Sequence, residues 1–257
     1  MRLTSRLLLS LSYRLPKFEF GFGFSEMLLD HIPPSVYFDK SEVQPFNGQA
    51  QGWGTIYVIA RLFKGTHAIE TGTYLGSSTS YISSLVTDIT HTIEINPETI
   101  KKTQKRFRLN HSIRKINLIQ GDSAQEIRKV LKGIDPSTSR VIAYLGVHWL
   151  DEIPTTEEIL ALMEWGGPGL AIIDDFKVPS GDGYGFDQYG DVIIGPAIVP
   201  ISADVYTYVP SGPLNLEIGK TRRGTGYVFN TAARKIVDPD SIHELFRLSN
   251  HFNFESK

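Results

Sequence analysis

The stretch His67-Ala-Ile-Glu-Thr-Gly-Thr-Tyr-Leu-Gly-Ser-Ser-Thr-Ser80 restricts the fold more than any other part of this chain. A short apolar run stops on an acid, Glu70. Gly72 and Gly76 follow, four apart, and Ser77, Ser78 and Thr79 then offer hydroxyls on which a helix can begin. A chain with this pattern leaves a strand, reverses sharply and enters a helix. Glycine allows the positive φ that such a turn needs, and it leaves main chain bare where another group must come close.

The pattern is repeated downstream. Ile56–Phe63 has apolar residues at helical spacing, Ala68–Glu70 reads as a strand, and Ser77–Val86 as a helix capped by serines. His91–Ile95 is a second strand, followed by a helix over Pro97–Phe107 with proline in its first turn and a basic second half. Ile116–Gln120, Arg140–Leu145 and Gly169–Asp174 read as strands, separated by helices at Ala124–Lys132 and Thr155–Trp165. Strands alternating with helices of this length form a parallel sheet covered on both faces, a doubly wound, Rossmann-like α/β fold. Beyond Asp175 a Gly/Tyr/Asp-rich loop spans Pro179–Gly190. Asp204–Val209 and Thr225–Phe229 then read as a C-terminal antiparallel pair, for seven strands in all. Residues 1–55 are irregular and aromatic-rich, an N-terminal cap or lead-in segment. No linker or repeat divides 56–257, which is expected to be one domain.

The composition narrows the chemistry. With 41% hydrophobic and 21% charged residues the chain is an ordinary globular protein. A net charge of −2 gives no field to hold nucleic acid or an anionic membrane. The absence of cysteine excludes disulfides, thiolate zinc sites, iron–sulfur clusters and cysteine nucleophiles. Met1–Lys17 places arginines around a short leucine run, but no small-residue cleavage site follows; it reads as a basic amphipathic lead-in helix. No apolar run approaches the roughly 20 residues that span a bilayer. A cytoplasmic protein without stable membrane insertion is expected, with homo-oligomers left open.

Three acids, Glu70, Glu94 and Asp122, close three successive strands. In an open α/β sheet, ligands sit beyond the carboxyl ends of the strands, where strand order reverses. There Glu70 with Gly72 and Gly76 would shape a loop around an amino-acid-like tail. Glu94 would accept both hydroxyls of a ribose, and Asp122 beside Ser123 would accept an adenine amine. Each acid taken singly also suits a helix cap or a solvated strand end. A dinucleotide fingerprint, Gly-x-Gly-x-x-Gly, is not present, because Thr73, Tyr74 and Leu75 separate the two glycines.

Glu70-Thr71-Gly72-Thr73-x-x-Gly76, Glu94-Ile-Asn-Pro97 and Gly121-Asp122-Ser123 resemble the motifs of class I S-adenosylmethionine-dependent methyltransferases. The similarity extends to the small O-methyltransferase-like branch through Pro45-Phe-Asn-Gly-Gln49, Tyr144-Leu-x-x-His148-Trp149, Ile173-Asp174-Asp175-Phe176-x-Val-Pro179, Gly183-Tyr-Gly-Phe-Asp-x-Tyr-Gly190 and Arg222-Arg223-Gly224. It covers roughly residues 40–230. It implies that Glu70, Thr71, Gly72, Thr73, Gly76, Ser77, Ser78, Glu94, Ile95, Asp122 and Ser123 hold S-adenosylmethionine. It also implies that His148, Asp174 and Asp175 are catalytic, and that Tyr184, Phe186, Asp187 and Tyr189 form an active-site loop over a small-molecule acceptor. Arg222 and Arg223 would meet an acidic substrate group or lie in a solvated basic turn.

One departure stands out. The branch reads Leu-Asp-x-His-Trp where this chain has Leu145-Gly146-Val147-His148-Trp149. In relatives with a divalent ion, an acid after strand four joins the pair after strand five. Here Asp174 and Asp175 make a poor Mg²⁺ cage unless Asp182, Asp187 or substrate completes it, so the sequence leaves a divalent ion undecided. The readings that remain are transfer of a methyl group to a hydroxyl in specialised metabolism, a cofactor-binding protein of this fold that does not methylate, and, against the motif, a nicotinamide-dependent oxidoreductase.

Overall fold

The computed structural model describes residues 56, 59–108, 115–146, 153–178, 184–200, 203–210, 222–237 and 252–256. The lead-in segment, His148, Asp182 and the motif at Pro45–Gln49 lie outside these residues. The centre of the sheet is β1 (His67–Thr71), paired in parallel with β2 (Thr90–Glu94) on one side and β4 (Val141–Leu145) on the other. β3 (Ile116–Gln120) continues beyond β2, and β5 (Gly169–Ile173) beyond β4. β4 and β5 read Val-Ile-Ala-Tyr-Leu and Gly-Leu-Ala-Ile-Ile and are buried at every position. Near-continuous apolar runs are what parallel strands covered on both faces require.

The sheet ends in antiparallel strands: β11 (Gly226–Phe229) on β5, β9 (Asp204–Pro210) on β11, and β12 (Phe252–Ser256) on β9. The order is β12-β9-β11-β5-β4-β1-β2-β3, eight strands among the described residues, where the sequence led us to expect seven. The additional strand carries its aromatic signal on only two positions, Phe252 and Phe254, too little to separate a strand from a polar tail. Two-stranded pieces, β6 (Tyr184–Gly185) with β10 (Arg222–Arg223) and β7 (Gln188–Tyr189) with β8 (Val192–Ile193), lie outside the main sheet.

Each face of the sheet has its own core. On one face residues 59–63 are helical, and Ile59 and Phe63 pack with Ile82, Ile142, Ile172, Tyr227 and Phe229. On the other, Ile127 and Leu131 of α3 (Ser123–Lys132) and Ile159 and Leu162 of α4 (Thr155–Glu164) cover Ile69, Ile93, Ala143 and Ile173. α1 (Ser77–Ile82) is shorter than the expected helix to Val86 and has no serine cap; its N-cap is Gly76, at φ 74°. Ser77, Ser78 and Ser80 lie inside the helix instead, with Ser83 as its C-cap and Ser84 just beyond. Ser80, Ser83 and Ser84 hydroxyls donate to the carbonyls of Gly76, Ser80 and Tyr81 at 2.7–2.9 Å, and such back-bonding competes with continuation of the helix. α2 (Pro97–Arg108) flanks β2 and β3. No helix among the described residues is long and apolar enough to cross a membrane.

The antiparallel part is fastened by one buried side chain. Asn230 caps α5 (Thr231–Arg234) by accepting from Ala233 N at 2.8 Å, accepts from Gly169 N at 3.1 Å and donates to Gly167 O at 2.8 Å. Removing the amide leaves buried main-chain groups of β5 and α5 without partners, each a loss of roughly 1–3 kcal/mol. Asn230→Ala should therefore lower the stability measured by urea unfolding by about 2–4 kcal/mol, with Asn230→Asp losing less. A change below about 0.5 kcal/mol would contradict this account of Asn230.

Candidate active site

Strand order reverses between β1 and β4, so their carboxyl ends open the crevice in which an α/β sheet holds ligands. Gly146 N donates to Thr71 O at 3.3 Å across this opening, and Asp174 N donates to Leu145 O at 3.1 Å. The loop after β1 is bonded throughout. Gly72 N and Thr73 N donate to Ile93 O at 2.9 and 3.3 Å, Gly76 N donates to Thr73 O at 2.8 Å, and the Thr103 hydroxyl donates to Tyr74 O at 2.5 Å. Gly72 and Gly76 have φ of 78° and 74°, and Tyr74 between them is also left-handed at 46°. Gly76 answers a second demand: a Cβ there would lie 2.5 Å from the Phe107 ring.

The three strand-end acids have three different surroundings. Glu70 is fully buried beneath the loop, and its Oε2 accepts from the hydroxyls of Thr79 and Thr92, the latter at 2.7 Å. Thr73 lies 2.6 Å from Thr92, so a line of hydroxyls runs from the loop to the carboxyl; Ser78 also bonds to Glu70. Burial raises the Glu70 pKa to about 7 against the pull of these hydroxyls. Glu94 is half-buried, with Oε2 accepting from Tyr74 N at 3.0 Å and Oε1 from Asn96 N at 2.9 Å. Tyr74 and Ile95 beside it are 63% and 52% exposed, apolar surfaces at the rim of the crevice. Asp122 is the N-cap of α3, accepting from Ala124 N at 3.0 Å and from the Gln125 amide at 3.1 Å. The capping reading therefore holds for Asp122, whose carboxylate also keeps lone pairs for a further donor.

A second buried carboxyl escaped the sequence reading. Glu158 of α4 is fully buried against the opposite face of the same strand end, accepting from the Thr71 hydroxyl at 3.2 Å and from Ser123. Burial pushes its pKa up to about 7. Glu70 and Thr71 alternate in β1, so one strand end is fastened through carboxyls on both faces of the sheet. Each carboxyl leaves its Oε1 without a protein partner, which a neutral group tolerates far better than an ion. In sequence Glu158 is one of two adjacent acids in a first helical turn, where acids are ordinary. Only burial distinguishes it.

Around the ends of β4 and β5 the sequence-derived candidates are drawn together, but not as a cation cage. The Tyr144 hydroxyl donates to Asp174 Oδ2 at 2.7 Å. Burial first, then the charge of Asp175, raises the Asp174 pKa. Asp175 is left-handed at φ 51° and turns toward Arg223, whose Nε donates to its Oδ1 at 2.5 Å. Arg223 Nη2 donates to Asp187, which also accepts from the Tyr189 hydroxyl at 3.0 Å. Arg223 thus meets two of the chain's own acids. Tyr184 and Gly185 pair with Arg222 and Arg223, and Lys177 lies over the Phe186 ring at 5.0 Å, so the described part of the loop is fastened to the β5 end.

These residues do not suit a divalent ion. Gly146 offers no carboxylate, Asp174 is engaged by Tyr144, and Asp175 and Asp187 are bridged by a guanidinium. Among the described residues no group of three or more His, Asp or Glu is arranged to hold a metal. The ends of β1 and β2 have a different character, with the Glu94 carboxylate set by two backbone amides, exposed Tyr74 and Ile95 beside it and the left-handed glycines Gly72 and Gly76, groups that suit the hydroxyls and faces of a nucleoside.

The two buried glutamates give a measurable pH dependence. In the folded state each keeps its proton to about pH 7, whereas the ordinary value is 4.5. The native state binds more protons between those limits, so stability is highest at the acid end and declines as pH rises through 7. Glu158→Gln should flatten this decline in thermal melts from pH 5 to 8.5. At pH 8 it should be more stable than the parent by about 1–3 kcal/mol. A variant with an unchanged slope would show that Glu158 is not the group responsible.

No protein-family profile matches the chain, and no curated protein sequence does. Solved structures do. The O-methyltransferase TomG from Streptomyces achromogenes, involved in tomaymycin synthesis and solved in complex with SAM, aligns at 15% identity and a TM-score of 0.53, over 77% of this chain and 87% of that one. A putative O-methyltransferase from Klebsiella pneumoniae aligns at 15% identity and 0.48, over 70% and 79%. The chain has the mixed α/β fold, mostly parallel with antiparallel strands at one edge, of the first of these proteins.

Proposed function

We propose that the chain is an S-adenosylmethionine-dependent methyltransferase whose acceptor is a hydroxyl on a small molecule. The observation that carries this reading is Glu94: its two oxygens are oriented by Tyr74 N and Asn96 N at the mouth of the switch-point crevice, between two exposed apolar side chains. A carboxylate so placed suits the paired hydroxyls of a ribose, with Asp122 and Ser123 one strand further on for an adenine amine. The bound cofactor would supply an electrophilic methyl carbon for in-line displacement. The task left to the protein is to place an acceptor oxygen opposite it and take its proton. At the β5 end Asp174, with its raised pKa and the Tyr144 hydroxyl fixing its orientation, suits that proton, and His148 in the segment after β4 is the other base of this reading. Support for the fold comes from TomG; the oxygen acceptor rests on resemblance of motifs.

A second reading, binding without transfer, is favoured by one observation: Asp175 and Asp187 are engaged with Arg223 and Gly146 carries no acid. The two are separated in one series of measurements. S-adenosylhomocysteine, followed by calorimetry, should bind, and Glu94→Ala should weaken it about 10- to 100-fold, the loss of one to two charge-assisted hydrogen bonds. Incubation with labelled S-adenosylmethionine and a panel of phenols and alcohols should then yield labelled ethers by mass spectrometry. Binding with no transfer would favour the second reading, and no binding at all would sink both.

A further inference from the structure

We propose that Arg223 is the resident cation of this site, a side-chain guanidinium standing where a divalent ion would otherwise bridge the acids after β5. The inference deepens the methyltransferase reading and rests on it for the identity of the site, but its metal readout does not depend on cofactor binding. The carboxylates the guanidinium joins come from separate segments, 48 and 36 residues away from it in sequence. The clamp is held by main chain on every side. Asp187 N donates to Asp175 O at 2.9 Å, Phe176 N to Gly224 O at 2.9 Å, and Gly224 N to Gly185 O at 3.0 Å. Gly224, next to Arg223, packs so tightly that a Cβ would collide with the Phe176 carbonyl oxygen, and one on Gly226 would lie 2.6 Å from the Phe176 ring. The backbone therefore fixes where the guanidinium starts, and the left-handed turn at Asp175 aims a carboxylate at it.

The arrangement also gives a reason for the missing acid. A guanidinium presents a planar fork of N–H donors, which two carboxylates satisfy without a third. A hard divalent cation such as Mg²⁺ takes about six oxygens, waters among them, and with few carboxylates it is poorly held. Once Arg223 supplies the positive charge, a carboxylate at position 146 has no ion to coordinate. The main chain at Gly146 does not itself demand glycine: a Cβ there would meet Tyr144 Cε1 at 3.4 Å and Thr71 O at 3.5 Å, ordinary contacts.

The test is Mn²⁺ binding to the full chain, read as loss of the free-ion paramagnetic resonance signal. The wild-type chain should bind no stoichiometric Mn²⁺, and Gly146→Asp alone should add none while the guanidinium remains. Arg223→Met frees Asp175 and Asp187 and should bind Mn²⁺ at least tenfold more tightly than the parent, more so in combination with Gly146→Asp. Arg223→Lys, which keeps a cation, should resemble the parent. The proposal is overturned if the wild-type chain binds one Mn²⁺ that Asp175→Asn abolishes. It is overturned equally if Arg223→Met, shown by circular dichroism to be folded, gains no affinity. Should that variant not fold, the wild-type titration with its Asp175→Asn control still decides. S-adenosylhomocysteine binding by the wild-type chain, measured with and without chelator, reports separately on the cofactor reading.

Discussion

The position of β1 between β2 and β4 governs everything that follows in this molecule. Parallel pairing on both sides aligns Glu70 with Thr92 on one neighbour and with Tyr144 on the other, and Thr71 with Leu145. Because side chains alternate across a strand, Glu70 enters one layer of the protein and Thr71 the other. A slip of one residue would exchange them, placing a carboxyl in the apolar layer of Ile69, Ile93 and Ala143. Register therefore settles both the packing of the two cores and the shape of the loop that begins at Gly72.

The polar groups beneath that loop have an energetic consequence. Two glutamates without cationic partners are kept in the interior by hydroxyls alone, from Ser78, Thr79 and Thr92 around Glu70 and from Thr71 and Ser123 around Glu158. Burial of a lone charge is expensive, and the system meets that cost by retaining protons near neutrality. The loop gains hydrogen bonds on both faces of its anchoring strand, and the fold accepts a stability that declines with rising pH. Stability is commonly given up in this manner around functional crevices.

The other side of the crevice follows a different rule. Asp175 and Asp187 face a fixed charge carried on the chain, so their geometry is set by folding and not by loading with an ion. The loop from Tyr184 to Tyr189, which its glycines and aromatic rings had suggested as a cover for an acceptor, is tied to β10 and to the β5 end by backbone pairing, the guanidinium and the Lys177–Phe186 contact. Its aromatic side chains are presented on a fastened segment. Precision in placing an acceptor would come from that rigidity.

The alternation of apolar runs with helical spacing was sufficient in the sequence to specify the doubly wound sheet, seven of its strands to within a residue, and the ends at which a crevice must open, because period and length are local properties of a chain. Glu70, Glu94 and Asp122 could be located at strand ends for the same reason. Which of them is sealed under the loop, which is held at the rim and which caps a helix could not be read, because that depends on atoms contributed by β2, α1, the Tyr74 loop, Asn96 and α3. Glu158 and Arg223 were illegible for a stronger reason. A buried acid and a solvated one are the same letter, and a basic pair before a strand gives no sign of carboxylates 36 and 48 residues distant. Periodicity fixes the secondary elements; desolvation and pairing of charge arise only when those elements pack, and it was packing that decided the electrostatics of this site.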